Sequence, residues 1–491
     1  MTANSQEIVQ RIRSEFEAVL TDLLKTHPDA APTADAIERN LWQQMLALGA
    51  SLMGLFLVNQ AQSQVVEIVT TSEGDALLAH DHKERTYHCV FGKLRFQRRY
   101  YYRPGQGAFP LDAALNLPPE ATSDMLREWQ ERLGMYMAYQ EANTTLEDML
   151  GRPFSSRILQ EAVLADAQEV CAFYAQADPH LPDPAATILV VQADGKGVPM
   201  VTDPKEAPVR RSKGQKPCRK KEAIATSVYT LIPTPRTPQS VVTSLFHPSP
   251  HDQADPRPKP HHKWLWATLD GKEAALAFTA EQVSRQNGAH IQHRVALTDG
   301  SEALQTRVQT HFPDFTLVLD CIHADEYLWK AANTLLGETA LERTAWVEAR
   351  TLQMLCGQTQ AVISDLRQIA MDEALSPGTI KTLLSVAAYY ERNLAFMKYD
   401  QYLALGWPIA TGVIEGACRH LVKDRCEQSG MRWTQAGAEA LLRLRSVSEN
   451  GDWAAFHAYR RGQRHKTVYA YWPKASANPD NTPKTPLRLA A

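Results

Sequence analysis

Four acidic residues stand where short apolar runs stop or where a helix begins. Asp194 follows the run from Ile188 to Val191 in "ATILVVQADGKGVPM", and Asp299 closes Val-Ala-Leu-Thr in "HRVALTDGSEAL". Asp320 closes Phe-Thr-Leu-Val-Leu in "FTLVLDCIHADEYLW", and Glu415 follows Thr411 in "GWPIATGVIEGACRHLVKDRCEQSGMRW". Carboxylates are the hard oxygen ligands that magnesium and manganese take. Phosphodiester cleavage by two divalent ions needs several of them converging, one ion activating water and the other stabilising the leaving oxygen. Each residue also has a plainer use. An aspartate after a strand is an ordinary turn or helix N-cap residue, and a first-turn glutamate answers the helix macrodipole. Two strand-end aspartates are too few, so the chemistry requires a third acid brought in by another element.

The elements that must position them are legible in outline. The order is strand (187–194), basic loop, strand (220–233), a third apolar run (240–248), Pro/His-rich loop, helix, strand to Asp299, helix and strand to Asp320. Nearly continuous helical periodicity follows from Ala324 to about Met397. An order βββαβαβ is that of ribonuclease H-like domains, α/β folds in which the first strand lies beside the fourth. Asp194 and Asp299 then end adjacent strands, and Asp320 sits one strand further out. Glu415 falls in the first turns of a helix starting near Thr411, with Arg419 at i+4 and Lys423 at i+8 able to meet phosphate on the same face.

Ahead of this core lies a mainly helical region. We divide the chain into helical residues 1–80, a basic aromatic β-hairpin and loop (81–118), and a helical segment (119–180). The core (185–330), a large all-helical insertion (331–405), the Glu415 segment (406–450) and a tail (451–491) complete it. The hairpin turns at Phe91-Gly92 and interleaves Arg95, Arg98 and Arg99 with tyrosines, which reads as a footprint for a polyanion. Lys220 belongs to a second basic run, from Lys205 to Glu222. "LGRPFSS", with Gly151 and Pro153 ending one helix and a serine capping the next, suits a helix-turn-helix that places Arg157 and Gln160 near base edges. Solvated faces and helical hairpins carry the same signals.

Length and composition bound the rest. At 491 residues and 44% hydrophobic content the chain holds two or three globular domains. A formal net charge of −3 excludes a uniformly basic coat. The seven cysteines form no C-x-x-C pair, which suits a reducing compartment and offers no zinc-finger spacing. The apolar run Leu46 to Val58 is too short to span a bilayer and no signal-peptide order is present, so a cytoplasmic protein without a membrane partner is expected. The four histidines from His247 to His262 fix no metal geometry among their prolines, and this stretch reads as a surface insertion.

The motifs "VVQADGKGVPM", "VALTDGSEAL", "LDCIHADEYLWKAA" and "GWPIATGVIEGACRHLVKDRCEQSGMRW" resemble those of bacterial insertion-sequence transposases of the DDE type, specifically the Kra group, which is similar to the Mutator-like transposases. Weaker likeness in "FGKLRFQRRYYY" and "FPLDAALNLP" extends the resemblance over most of the chain. The resemblance implies a ribonuclease H-like core whose last acid follows a helical insertion, with Asp194, Asp299 and Glu415 as catalytic acids holding two Mg2+ or Mn2+ ions. Asp320 and His323 fall on the (C/D)-x-x-H signature and are implied to be accessory. The implied activity is cleavage at transposon ends and joining of the 3′-hydroxyl to target DNA, by a homodimer or larger assembly on terminal inverted repeats.

Other readings stay open. Asp320 competes with Asp299 as second ligand. Arg419, Lys423 and Arg432 are expected to hold the scissile strand, and Trp433 either stacks on a displaced base or anchors the core. A structure-specific nuclease and a catalytically silent DNA-binding descendant are the functional alternatives. One departure stands out: relatives of this kind often carry paired cysteines after the Arg-Tyr-Tyr hairpin, and "YYYRPGQGAFPLD" has none.

Overall fold

The computed structural model describes residues 3–25, 32–63, 66–177, 183–201, 220–248, 259–428 and 430–470. Most of the basic run from Lys205 and the centre of the Pro/His-rich loop lie outside them. The chain is mixed α/β and divides into two units, residues 1–165 with 453–491, and residues 166–452.

In the first unit a long helix, Ala34–Ser63, lies against an antiparallel sheet of order β1-β2-β3-β4: Ile68–Thr70, Ala76–Cys89, Gly92–Arg103 and Gln106–Ala108. The β2–β3 hairpin turns at Val90-Phe91, with Cys89 opposite Gly92. Gly49 lets the helix approach, because a Cβ there would enter the Phe91 ring. Leu57, Tyr87, Cys89 and Phe96 make a small core beneath the hairpin. The apolar run from Leu46 belongs to this 30-residue helix, which by length and composition is long and apolar enough to cross a membrane, with 11% of its most apolar window buried. The expectation that the run is too short is therefore corrected, because the helix extends well beyond it.

The helices Tyr139–Leu150 and Ser156–Asp166 are joined through Gly151, left-handed at φ 68°. The tail also differs from expectation. Trp453–Thr467 is a helix of the first unit, where Arg464 bonds Asp124 and the Tyr469 hydroxyl donates to the Leu117 carbonyl at 2.6 Å.

The second unit is built on a five-stranded sheet. Its strands in chain order are β5 (Ile188–Pro199), β6 (Lys220–Leu231), β7 (His261–Thr268), β8 (His293–Thr298) and β9 (Thr316–Leu319). They lie in the order β7-β6-β5-β8-β9, the first three antiparallel and β5, β8 and β9 parallel. The first strand thus lies beside the fourth, as expected. The third strand is not residues 240–248, because Thr237 caps and Pro238 starts a helix over Pro238–Phe246. It is the "HHKWLWAT" segment instead, whose tryptophans are buried.

Helix Gly271–Gln286 leads from β7 to β8, and Glu302–His311 from β8 to β9. From Cys321 the chain runs through an all-helical insertion that includes Cys321–Leu336, Glu342–Leu355, Thr359–Ile369 and Pro377–Asn393. Val190, Leu297 and Val318 of the sheet share one core with Leu328, Ile363, Val386 and Tyr390 of the insertion. Gly406 closes it: φ is 72°, and a Cβ would collide with the Thr234 backbone.

Candidate active site

The strand β5 does not stop at Asp194. It continues to Pro199 as a two-stranded arm with β6, in which Asp194 lies opposite Ala225. A Cβ at Gly195 would meet the end of the Glu222 side chain, which crosses over that glycine. Pairing with β8 ends at Gln192–Leu297, which leaves Asp194 just past the parallel ladder, at its mouth. Its Oδ1 accepts from the Gly195 amide at 2.6 Å and its Oδ2 from the Cys418 thiol at 3.3 Å. Burial, reinforced by the Asp194 charge, pushes that thiol well above its ordinary pKa, so Cys418 remains a protonated donor.

Asp299 follows β8 and is half-buried. Its Oδ1 accepts from the Ser301 amide at 2.9 Å, a local turn bond. Gly300, at φ 87°, sits where a Cβ would meet the Tyr389 hydroxyl and Leu319.

Asp320 is fully buried and caps the Cys321–Leu336 helix. It accepts from the Ile322 amide (2.7 Å), His323 Nδ1 (3.0 Å), the Thr411 amide (3.3 Å) and the Thr411 hydroxyl. Three of these donors converge on Oδ2, and only the Ile322 amide reaches Oδ1. Through this bond Asp320 raises the His323 pKa to about 9 against the opposing effect of burial, and the Asp299 charge adds to the shift. The imidazole is thus held charged at neutral pH, with Nδ1–H on Asp320.

Glu415 is exposed at the start of the helix Gly412–Ala417, with Oε1 3.1 Å from the Thr411 hydroxyl. One hydroxyl proton cannot serve both Asp320 and Glu415.

Asp320, His323 and Glu415 therefore bring one ligand atom each within 4.8 Å of one another. Asp194 is tied to the Glu415 segment by Cys418. Among the described residues Asp299 makes no side-chain hydrogen bond to the other three acids, and its charge reaches the cluster through His323.

Sequence reasoning missed the residues that hold this arrangement. Gln192 donates to the Tyr229 hydroxyl (2.9 Å) and the Ala410 carbonyl (3.4 Å), and its Oε1 accepts from the Ile414 amide (2.9 Å), fixing the start of the Glu415 helix on β5. A polar residue closing "ILVVQ" two positions before Asp194 was the available signal. Thr411 and Cys418 carried none beyond lying inside the longest motif.

Several expected DNA contacts are engaged internally. Arg98 is largely buried, paired with Asp112 and stacked 3.5 Å from the Phe109 ring centroid. Asp112 also takes Arg85, so Arg98 belongs to the interior of the hairpin unit. Arg99 pairs with Glu67 at 2.8 Å and is mostly covered, whereas Arg95 is exposed and 3.9 Å from Glu84. Lys220 pairs with Glu427. Arg157 is exposed and bonds Glu161 at 2.8 Å on its own helix, and Gln160 is exposed beside it.

Trp433 is buried and donates Nε1–H to the Cys426 carbonyl at 3.2 Å. The Arg425 guanidinium lies 4.8 Å from its ring and its backbone pairs with Pro199 and Val201, so it is the core anchor and not a free stacking surface. Arg419, Lys423 and Arg432 are exposed, Arg419 being 3.8 Å from Asp424. Cys418–Lys423 is a π turn, so Arg419 and Lys423 follow Glu415 on a wider helix than the α-helix expected there.

No family model and no curated protein matches the chain. Among solved structures it is similar to the Drosophila P element transposase strand transfer complex, at 8% identity over 68% of this chain and 94% of that chain, with a TM-score of 0.32. That score lies below what a shared fold gives.

Proposed function

We propose that the chain is a DDE transposase on a ribonuclease H-like core, cleaving transposon ends and joining the 3′-hydroxyl to target DNA, with Asp194, Asp299 and Glu415 as ligands of two divalent cations. The observation that carries this reading is the strand order β7-β6-β5-β8-β9, with Asp194 and Asp299 at the mouths of neighbouring parallel strands and Glu415 arriving after a helical insertion.

The donor set fits hard cations. Asp194, Asp299 and Glu415 are at least partly accessible, and the Asp299 and Glu415 carboxylates have one described hydrogen-bond partner each. Asp320 is buried and takes four described hydrogen bonds, which suits a positioning role. When bound, the ions would activate the attacking water or hydroxyl and neutralise charge on the leaving oxygen. The chain itself does the rest. Cys418 and the Gly195 amide orient Asp194, and Gln192 fixes the approach of Glu415. Asp320 holds His323 as an imidazolium whose Nε2–H is left to donate to a phosphate oxygen. Arg419, Lys423 and Arg432 supply exposed positive charge for the strand, which a homodimer or larger assembly would present as paired ends.

The test is incubation of the protein with its flanking inverted-repeat DNA and Mg2+ or Mn2+. Cleaved and joined products are expected, and Asp194→Asn, Asp299→Asn and Glu415→Gln should each abolish both while leaving DNA binding intact. Cleavage without joined product would make the protein a structure-specific nuclease. The closeness of Asp320, His323 and Glu415 favours a second reading in which Asp320 replaces Asp299 as ligand. It requires Asp320→Asn to remain folded but inactive while Asp299→Asn still cleaves.

A further inference from the structure

The last turns of the helix Pro377–Asn393, deep in the insertion, point their polar groups at the ends of β8 and β9. Tyr389 donates its hydroxyl proton to the Asp299 carbonyl at 3.1 Å, and Arg392 Nη2 donates to the Gly300 carbonyl at 3.0 Å. Tyr390 bonds the Ala324 carbonyl at 2.7 Å, and Asn393 takes a bond from Gln305 at 2.9 Å. Tyr399, just beyond, reaches the Leu319 carbonyl at 3.1 Å.

The Tyr389 ring is itself fixed, stacked at 3.8 Å and 4° on Tyr327 of the helix that Asp320 caps. Gly300 has no Cβ where the Tyr389 hydroxyl comes in, so loop and helix are fitted to one another. The other three contacts are buried and knit the fold. The Tyr389 and Arg392 contacts grip the two residues of the acid-bearing loop, and the half-exposed Arg392 also lies 3.9 Å from Glu302 at the start of the helix that follows that loop.

We infer that Tyr389 and Arg392 are positioning residues that hold the Asp299 loop in its ligand geometry, so that the helical insertion sets the affinity of the metal site. The inference rests on the reading of Asp299 as a ligand. An aspartate side chain whose backbone is free to turn loses the preorganisation on which multidentate cation binding depends.

The experiment measures Mn2+ binding without DNA, by calorimetry or by loss of the free-ion paramagnetic signal, alongside Mn2+-dependent cleavage. Tyr389→Phe retains the stack on Tyr327 and loses the hydroxyl, and Arg392→Gln removes the charged donor. The folded double variant should need about tenfold more Mn2+ for half-maximal cleavage and bind Mn2+ correspondingly more weakly, with cleavage recovering at saturating metal. Arg392→Lys, which keeps a cationic donor, should lie nearer wild type. A folded double variant that binds and cleaves as wild type does, while Asp299→Asn fails, overturns the positioning role and leaves the ligand reading intact. If Asp299→Asn also binds Mn2+ like wild type, the ligand reading falls and the positioning role falls with it.

Discussion

At the scale of single residues, the distinction between Asp299 and Asp320 is one of unused lone pairs. Asp320→Asn must turn its NH2 toward either the Ile322 amide or the Thr411 and His323 donors, and so leaves at least one buried donor without an acceptor. The expected cost is about 1 to 3 kcal/mol, read as a lower unfolding midpoint in metal-free protein. Asp299→Asn disturbs one local turn bond and should leave that midpoint nearly unchanged. The same accounting separates the hairpin arginines. Arg98→Ala exposes Asp112 to the loss of one of two buried partners and should cost about 1 to 3 kcal/mol, whereas Arg95→Ala should stay within about 0.5 kcal/mol in denaturant titration. Only Arg95 should then lower the salt dependence of DNA affinity, by roughly 0.9 in slope. Charge and aromatic interleaving were legible in the sequence; which arginine faces Asp112 was not, because the alternation of a strand says nothing about which face a neighbouring helix covers.

Elements were more legible than their ends. The parallel strands β5, β8 and β9 announced themselves by β-branched runs, and β5 lies beside β8 as expected, though β5 continues past Asp194 where a strand end was expected. The third strand was missed because "SVVTSLFHP" and "HHKWLWAT" compete on apolar content, and the decisive signal was Thr237-Pro238, a helix start. The arm beyond Asp194 was missed because its glycines read as a turn, whereas here they let β6 side chains cross. The π turn over Cys418–Lys423 has no sequence signature at all. Gly406 makes a prediction at this scale: with a left-handed backbone against Thr234, Gly406→Ala combines strain and collision and should cost more than about 1 kcal/mol, shown by a lower midpoint and by slower refolding. If the segment around Gly151 reads DNA as proposed, Arg157→Ala together with Gln160→Ala should weaken binding to specific DNA without shifting the midpoint, since both side chains are exposed.

For the molecule as a whole, the proposed metal site would couple cation binding to stability. Mn2+ at about a hundred times its dissociation constant should add roughly 2.7 kcal/mol to unfolding, and chelation should remove it. In the Asp194→Asn and Glu415→Gln variants that gain should vanish in a thermal scan. The bonds that assemble the site also have an unusual span. Gln192 reaches Ile414 across 222 positions, Cys418 reaches Asp194 across 224, and Thr411 reaches Asp320 across 91. Contacts of such separation pay their loop-closure entropy late in folding. On the ribosome, where the chain emerges from its N-terminus, Asp194, Asp299 and Asp320 are all synthesised and can fold their strands while the segment that orients them is still unmade. Under the proposed reading, no nascent chain that stops short of about Cys418 can hold the cleaving centre in order, so the cut waits for the segment that orients the acids.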